Sequence, residues 1–309
     1  MSAQSTTSTQ PQMSAGLERP FIRRPKTFFY GGREDSPFKR LLIHLTLALA
    51  SLIALFPVIR AFGVSIRPGN KLVDTTFSLI PANATFDAYR QVLFDTAFGQ
   101  WIWNSAMITI ATSVIGVILA ATSAYAFSRW RFPGRAPGLV FLLTTQLIPA
   151  SMLLVPLYLL AFQLKLVGTY RGLVIAYSVT AVPFSIWILK GYYDTIPVDL
   201  EEAAMIDGAS RLEAFWRILL PLSTPALAIV FLFNFLSAWN DYLLARVMIG
   251  ATDKLLTWPL GFERFQAQFM TQWAQLTAAS LIVTVPVVAL FLYSAKWLIS
   301  GLTLGSVKG

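Results

Sequence analysis

Six stretches of this sequence are each long and apolar enough to cross a lipid bilayer as a helix. They cover residues 41–62, 104–127, 139–164, 173–192, 226–245 and 274–299. A span needs about 20 mainly apolar residues, and its backbone polar groups must be satisfied within the segment. With 56% hydrophobic and only 13% charged residues, the chain cannot be an ordinary soluble domain. We therefore predict an all-α polytopic membrane protein with about six transmembrane helices.

The basic residues indicate how the chain is oriented. The 24 Lys and Arg residues flank the apolar runs and form no continuous patch, so the net charge of +9 indicates membrane anchoring and not nucleic-acid binding. A dense basic group lies within residues 19–40, just before the first span. If this basic group lies on the cytoplasmic side of the membrane, then both termini and most basic residues are cytoplasmic as well. We predict that residues 1–38 are a disordered, basic cytoplasmic segment and not a signal peptide.

Asp241 is the exception to a near absence of charge inside the predicted spans. A carboxylate within a membrane helix is typical of a substrate or ion pathway, so Asp241 and its neighbour Asn240 are candidate pathway residues. A second interpretation places Asp241 near the outer interface, paired with Arg246 about one turn further on. The sequence leaves both interpretations open.

Acidic residues are concentrated in residues 199–225, between the fourth and fifth predicted spans. The first part is predicted to be a short helix that Asp199 caps, with Glu202 placed to reach back to the capping backbone. Gly208 marks the end of this helix, because glycine is unfavourable inside a helix and common just after one. The small residues Ala203 and Ala204, beside several acids, would let a partner with basic groups approach closely.

A second short helix is predicted after the bend at Gly208. Ser210 and Glu213 have the spacing of a capping box, and apolar residues then recur at a helical period. Pro221 and Pro225 are expected to close this helix. On periodicity alone, a solvated amphipathic connector between two membrane helices would also explain the whole stretch.

The spacing of residues in this stretch resembles a known motif. Glu202, Ala203 and Ala204, then Gly208, and then residues 218–221 fit the EAA motif of binding-protein-dependent ABC importer permeases at every fixed position. In that family the motif forms a cytoplasmic coupling helix that sits in a cleft of the ATP-hydrolysing subunit. The resemblance therefore implies a coupling loop at residues 193–225. The residues that it assigns to ATPase coupling are Glu201, Glu202, Ala203, Ala204, Asp207, Gly208, Ile218, Leu220 and Pro221.

Other segments resemble the smaller permease subunit of bacterial maltose/maltodextrin importers. They are residues 66–70, 78–81, 124–129, 131–134 and the ending 301–309, which is similar to a GLTxGxVKG terminus. The resemblance runs over residues 39–309 and implies one transmembrane domain with the type I ABC importer permease fold and a cytoplasmic tail at 300–309. In the maltose-type family this tail reaches between the ATPase subunits, which implies contacts by Gly305, Val307 and Lys308.

The resemblance also implies a set of partners in the bacterial inner membrane. They are a larger homologous permease, two copies of a cytoplasmic ATPase, and an external sugar-binding protein that the loop around residues 255–265 would meet. ATP and Mg²⁺ would bind to the ATPase, since this sequence contains no G-x-x-x-x-G-K-[ST] loop. The chain is thus expected to form half of a pathway for maltose or maltodextrin, without a cofactor or enzymatic activity of its own.

Three other functions stay open at this point. The chain could be a permease for trehalose or another oligosaccharide, an ion-coupled carrier, or a membrane-embedded transferase. The scarcity of intramembrane charge disfavours the carrier. A transferase would need clustered acids, histidines or a metal motif outside the EAA stretch. With no cysteine and a single histidine, His44, the sequence predicts no metal site.

Overall fold

The computed structural model describes residues 37–70, 79–81, 83–250, 252–266 and 271–305, and in these residues the chain is helical. Residues 1–36 of the predicted N-terminal segment lie outside the described residues. The α-helices are α1 (Pro37–Ser65), α2 (Asp87–Arg90), α3 (Phe98–Arg129), α4 (Arg135–Thr145), α5 (Ala150–Gln163), α6 (Tyr170–Tyr193), α7 (Asp199–Ile206), α8 (Arg211–Ala214), α9 (Leu220–Leu222), α10 (Thr224–Asn240), α11 (Leu243–Ile249), α12 (Trp258–Gly261) and α13 (Trp273–Gly305).

Four of the six predicted spans are continuous helices, and they correspond to α1, α3, α6 and α13. The span predicted at 139–164 falls on α4 and α5, and the span predicted at 226–245 falls on α10, which ends earlier, at Asn240. Each passes as a membrane span only as part of a bent pair of helices. In one pair α4 and α5 meet at 102°, and in the other the segment Arg211–Leu222 meets α10 at 76°. The all-α polytopic fold is confirmed, and the span predicted over residues 139–164 is divided between two helices.

The bend between α4 and α5 falls at a proline. Pro149 has φ −54° and ψ 129°, which is an extended conformation, and it directly precedes α5. Proline has no N–H to donate, and its ring disfavours the helical conformation at the preceding residue, Ile148. Helix α4 therefore ends at Thr145, and α5 starts in a new direction at Ala150.

The chain divides into two units, Met1–Pro57 and Val58–Gly309. The described part of the first unit is the major part of α1, whose sequence is apolar on all sides, as on a helix surrounded by lipid. The second unit contains the remaining helices and the hydrophobic core.

Helix α3 lies at the centre of the second unit, where α6 and α10 pack against it and α13 packs against α10. Ala120, Ala121 and Ala124 are buried on α3, and such small residues let neighbouring membrane helices approach closely. Together with the aromatic rings of Tyr193 and Phe215 they belong to a core cluster that joins α3 to α6, to residues 215–220 and to α10.

A second, larger core cluster lies around three aromatic side chains, Trp101, Trp239 and Phe265. It joins the start of α3 to the end of α10 and to the short helix α12. Gly261 in α12 packs directly on the Trp101 ring, because a Cβ atom at this position would lie 2.2 Å from the ring carbons. Only glycine allows this approach without a shift of the surrounding structure.

Candidate functional site

Helix α7 begins differently from the prediction. Asp199 is its first residue and not its cap, because the preceding residue, Val198, has helical φ and ψ angles and no side chain caps the helix. The prediction that Asp199 caps α7 is therefore wrong. The first turn nevertheless carries Asp199, Glu201 and Glu202. Negative charges there are favourable next to the positive end of the helix dipole.

The end of α7 is as predicted. Gly208 has φ +94°, a left-handed conformation that glycine adopts without a steric penalty. The Gly208 N–H donates to the Met205 carbonyl at 3.1 Å, and the Ala209 N–H donates to the Ala204 carbonyl at 2.9 Å. These two bonds form a Schellman motif, which ends the helix and turns the chain sharply.

The helix after the bend starts with the predicted capping box. The Glu213 N–H donates to Ser210 Oγ at 3.2 Å, and the Ser210 N–H donates to Glu213 Oε2 at 2.8 Å. The helical segment ends at Leu222, between the two prolines that were expected to close it, and Pro225 stands in the first turn of α10. We call α7, the Gly208 turn and the segment Arg211–Leu222 the elbow.

Glu201 is turned into the protein, which differs from the expectation that it faces a partner. Its Oε1 accepts a hydrogen bond from Arg129 Nε at 2.7 Å, with the two side chains only 5% and 6% exposed. Its Oε2 accepts from the Tyr125 hydroxyl at 3.0 Å. Arg129 also donates to the Ile196 carbonyl at 3.0 Å. Both Tyr125 and Arg129 belong to the last turns of α3, so Glu201 fixes the elbow to this central helix.

The other predicted coupling residues divide into an exposed and a packed group. Exposed residues are Glu202, Ala203, Asp207, Gly208 and Pro221. Ala204, Ile218 and Leu220 are half-buried, and Leu220 packs against the core cluster beneath the elbow.

Large apolar side chains accompany the exposed acids of the elbow. Ile206 is 85% exposed, and Leu212 and Trp216 are exposed as well. An exposed apolar patch edged by charged groups is typical of a protein–protein contact. The elbow surface, defined as Glu202, Ala203, Ile206, Asp207, Leu212 and Trp216, is therefore suited to a protein partner.

Asp241 lies just beyond the end of α10, in an extended residue between α10 and α11. Its Oδ1 accepts hydrogen bonds from the Tyr177 hydroxyl and from the Ala245 N–H, each at 3.0 Å. The interpretation in which Asp241 pairs with Arg246 is wrong, because Arg246 forms its ion pair with Glu263 at 3.1 Å. The carboxylate thus joins α6, α10 and α11.

Asn240 differs from Asp241 in its surroundings. Its side-chain amide donates to the Leu236 carbonyl of its own helix at 2.9 Å and is exposed. Asp241 lines a cavity, and Asn240 does not.

This cavity has a volume of about 300 Å³ and lies between α3, α5, α6 and α10. Its wall includes polar side chains from all four helices and from the bends next to them, namely Thr112, Gln146, Ser151, Tyr177, Thr180, Asn234, Ser237 and Asp241. Among the described residues that line it there is no Lys or Arg, and Asp241 provides the one carboxylate. We call it the α3–α10 cavity.

A charged cluster is formed by α11 and the segment that follows it. Arg246 pairs with Glu263, which also accepts a hydrogen bond from the Tyr242 hydroxyl, and Arg264 pairs with Asp253. The hydrogen bond to Glu263 is the main cause of the raised pKa of Tyr242. These groups lie in or next to the loop around residues 255–265 that was expected to meet a binding protein.

The predicted tail residues are only partly described. Gly305 is the last residue of α13, and Val307 and Lys308 lie outside the described residues. Within the described part of the chain, no group of three or more His, Cys, Asp or Glu side chains could hold a metal ion.

A helical membrane domain with an exposed elbow and a partly open cavity between its helices has the architecture of a transport permease. Residues 113–302 match the family described as binding-protein-dependent transport system inner membrane component. The chain belongs to this family. Its members work in general with a partner permease, an ATPase and a separate binding protein.

Characterised relatives cover nearly the whole chain. It is 36% identical to the maltose/maltodextrin transport system permease protein MalG of Salmonella typhimurium, over 89% of this chain and 98% of the relative. Identity is 34% to the galactooligosaccharides transport system permease protein GanQ of Bacillus subtilis, over 87% and 95% respectively. The chain is also 34% identical to the trehalose transport system permease protein SugB of Mycobacterium tuberculosis, over 83% of this chain and 93% of the relative.

A solved structure has the same fold. A chain of a bacterial ABC transporter that imports the acidic polysaccharide alginate superposes with a TM-score of 0.75 at 25% identity, covering 87% of this chain and 99% of that chain. The relatives are transport permeases, so the prediction that the chain is not an enzyme is confirmed. Because the chain belongs to this family of transport permeases, the ion-coupled carrier and the membrane-embedded transferase are no longer alternatives.

Proposed function

We propose that this chain is the smaller permease subunit of an ATP-driven importer of maltose or maltodextrins. The observation that carries the proposal is the 36% identity with a maltose/maltodextrin permease over nearly the full length of both chains. The described residues that line the α3–α10 cavity include no Lys or Arg, which favours a neutral ligand over an acidic one. Neutral trehalose and galactooligosaccharides are the competing substrates, because permeases for them are also relatives.

The working assembly would contain this chain, a larger homologous permease, two copies of a cytoplasmic ATPase and an external sugar-binding protein. ATP and Mg²⁺ would bind to the ATPase, and this chain would need no cofactor. Both termini would be cytoplasmic in the bacterial inner membrane, with the elbow on the same side. The charged cluster around Arg246 and Glu263 would then face outward, towards the binding protein.

The elbow surface would dock on the ATPase. Its exposed acids, Glu202 and Asp207, would meet basic groups, and Ile206, Leu212 and Trp216 would enter an apolar cleft. The half-buried Ile218 and Leu220 would support this surface from below. Gly305, Val307 and Lys308 of the tail would add a second contact.

Movement of the ATPase would reach the membrane helices through fixed contacts. The Schellman turn and the capping box hold α7 and α8 in one shape, and Glu201 fixes that shape to the end of α3. Because α3 packs on α6 and α10, a pull on the elbow would turn these helices together, as in other rigid-body transitions. Such a rotation would open and close the α3–α10 cavity, with Asp241 on its wall and Asn240 beside it as pathway residues.

The proposal is tested by expressing this chain with its candidate partners and measuring ATP hydrolysis in reconstituted vesicles. We expect the sugar-loaded binding protein to stimulate ATP hydrolysis and sugar uptake with maltodextrins, and less with trehalose or galactooligosaccharides. Stimulation by trehalose or galactooligosaccharides in place of maltodextrins would reassign the substrate. Recovery of the chain without any ATPase would contradict the proposed assembly.

A charge-reversal variant tests the elbow surface. Glu202→Lys should reduce co-purification of the ATPase about tenfold or more, because it places a positive charge against the basic groups that Glu202 is proposed to meet. Asp95→Lys is the matched control, since Asp95 is an exposed acid outside the elbow, beyond α2. Equal ATPase recovery with both variants would remove Glu202 from the docking surface.

A further inference from the structure

A buried asparagine joins the loop 252–266, which contains α12, to the start of α3. Asn104 lies in the second turn of α3 and is 0% exposed. Its side-chain Nδ2 donates hydrogen bonds to the Lys254 carbonyl at 3.0 Å and to the Leu256 carbonyl at 2.9 Å. Backbone carbonyl oxygens can only accept, so these two bonds fix which side of the amide is the nitrogen. One side chain therefore holds the backbone of the loop on both sides of Leu255.

The other half of the amide is held by two membrane helices. Asn104 Oδ1 accepts hydrogen bonds from Gln100 Nε2 at 2.7 Å and from the Tyr170 hydroxyl at 2.8 Å. Tyr170 is the first residue of α6, so the amide joins the loop to both α3 and α6. An asparagine side chain has two donor and two acceptor positions, and all four are used here. A fully satisfied buried polar network of this kind is rigid and specifies one arrangement.

Two neighbours on the same face of α3 add to this attachment. Ser105 is 1% exposed, and its Oγ accepts a hydrogen bond from the Trp258 N–H at 2.8 Å. The Trp101 ring packs edge-on against the Phe265 ring, with centroids 5.9 Å apart. Trp101, Asn104 and Ser105 are spaced by three and four positions, so they lie on one side of the helix. Three side chains of α3 thus hold the loop along most of its length.

The loop held in this way exposes its charged residues and buries its large apolar ones. Asp253, Lys254 and Arg264 are exposed, whereas Leu260 and Phe265 are buried. A protein partner can bind charged groups on a fixed backbone without first ordering the loop, which lowers the entropy cost of binding. In the proposed assembly this surface faces the binding protein.

We propose that Asn104 and Ser105 are positioning residues for the docking of the sugar-loaded binding protein, because they hold the loop 252–266 in the shape that the binding protein contacts. The inference rests on the proposed function and deepens it, since it assigns this task to two residues of α3. Both residues are buried, so they act through the loop and not by touching the partner. Loss of either one should weaken docking without removing a contact group.

The test titrates the complete reconstituted transporter with maltodextrin-loaded binding protein and measures ATP hydrolysis. Ser105→Ala deletes the oxygen that accepts from the Trp258 N–H. It should raise the binding-protein concentration for half-maximal stimulation roughly three- to tenfold, the usual effect of one lost hydrogen bond. Asn104→Leu removes both bonds to the loop and should raise this concentration roughly tenfold or more. The maximal rate should fall by less than about twofold, because docking restores the order of the loop.

Thr109→Val is the matched control. Thr109 is 1% exposed on the same helix, and its hydroxyl donates within α3, to the Ser105 carbonyl at 2.7 Å. This control should keep the wild-type half-maximal concentration. Hydrogen–deuterium exchange of the loop 252–266, measured without binding protein, gives a second readout. Exchange should be faster in Ser105→Ala and unchanged in Thr109→Val.

Ser105→Ala is the deciding variant if Asn104→Leu does not assemble. A wild-type half-maximal concentration in Ser105→Ala would refute the positioning role. A fall in the maximal rate alone would also refute it, because that result indicates a general loss of stability. If the loaded binding protein does not stimulate ATP hydrolysis by the wild-type assembly, the proposed function is refuted instead.

Discussion

Removal of the Glu201 carboxylate should detach the elbow from α3. In Glu201→Ala the Arg129 guanidinium loses the partner at 2.7 Å but stays buried, because its side chain is only 6% exposed. Breaking a buried ion pair by removing one partner costs about 3–5 kcal/mol, since the remaining charge is left without solvent or counter-ion. The Tyr125 hydroxyl loses its bond to Glu201 as well, which adds about 1 kcal/mol.

This cost is a large fraction of the stability of a typical protein, about 5–15 kcal/mol. For a chain of this size it corresponds to a fall in the thermal midpoint on the order of 10 °C. The assay is thermal unfolding of the assembled transporter in detergent, with co-purification of the ATPase measured on the same samples. Because α7 would no longer be held against α3, stimulated ATP hydrolysis and sugar uptake should fall together.

Two further variants make the prediction specific. Glu202→Ala removes the neighbouring acid, which is exposed, and should change stability by no more than about 0.5 kcal/mol. Arg129→Ala combined with Glu201→Ala should cost less than the sum of the single variants, because neither charge is then left alone. If Glu201→Ala were no less stable than Glu202→Ala, or if the two single effects were additive, the anchoring role of the pair would be refuted.

Two local features of the elbow give further predictions. Gly208→Ala should destabilise the elbow by about 1 kcal/mol and reduce ATPase co-purification, because Gly208 has φ +94°. Gly191→Ala is the control, because a Cβ atom at this position within α6 meets no neighbour. It should be neutral or stabilising in the same thermal assay. Ser210→Ala should cost about 0.5–2 kcal/mol by removing the capping box, and Ser210→Thr, which keeps the hydroxyl, should restore most of it; equal midpoints for the two would contradict the capping role.

Hydropathy predicted where apolar helices occur but not where they bend. Pro57, Pro156, Pro183 and Pro286 all lie inside continuous helices, whereas Pro149 stands at a 102° bend. A proline in an apolar run therefore does not by itself predict a break, because neighbouring helices decide whether the freed backbone groups are satisfied. The number of spans follows from composition, and their directions depend on tertiary packing.

In the elbow, too, some features depend on neighbouring residues and others on residues that are distant in the sequence. The turn at Gly208 and the cap at Ser210 depend on residues within one turn, so their spacing in the sequence predicts them. The orientation of Glu201 depends on Arg129, 72 positions earlier in the chain. A basic residue at the end of a span next to an acid-rich loop is a usable signal for such a pair, but it does not say which acid is bound.

The α3–α10 cavity could not be predicted from the sequence. Thr112, Tyr177 and Asn234 stand in three separate apolar helices with no motif in common. They come together only because glycine and alanine residues on α3 allow α6 and α10 to pack closely. In helices that are apolar on most sides, periodicity does not distinguish a cavity-lining face from a lipid-facing one.

The sequence distance between Arg129 and Glu201 also imposes an order on biosynthesis. When α3 first enters the membrane, α6 and α7 have not yet been synthesised, so Arg129 has no carboxylate to bind. Its position at the last residue of α3 lets the guanidinium remain at the bilayer surface among water and lipid headgroups during that time. The ion pair between Arg129 and Glu201, together with the hydrogen bonds to Ile196 and Tyr125, then forms only after the elbow has left the ribosome. A chain that stops before Glu201 would therefore keep Arg129 without its carboxylate partner.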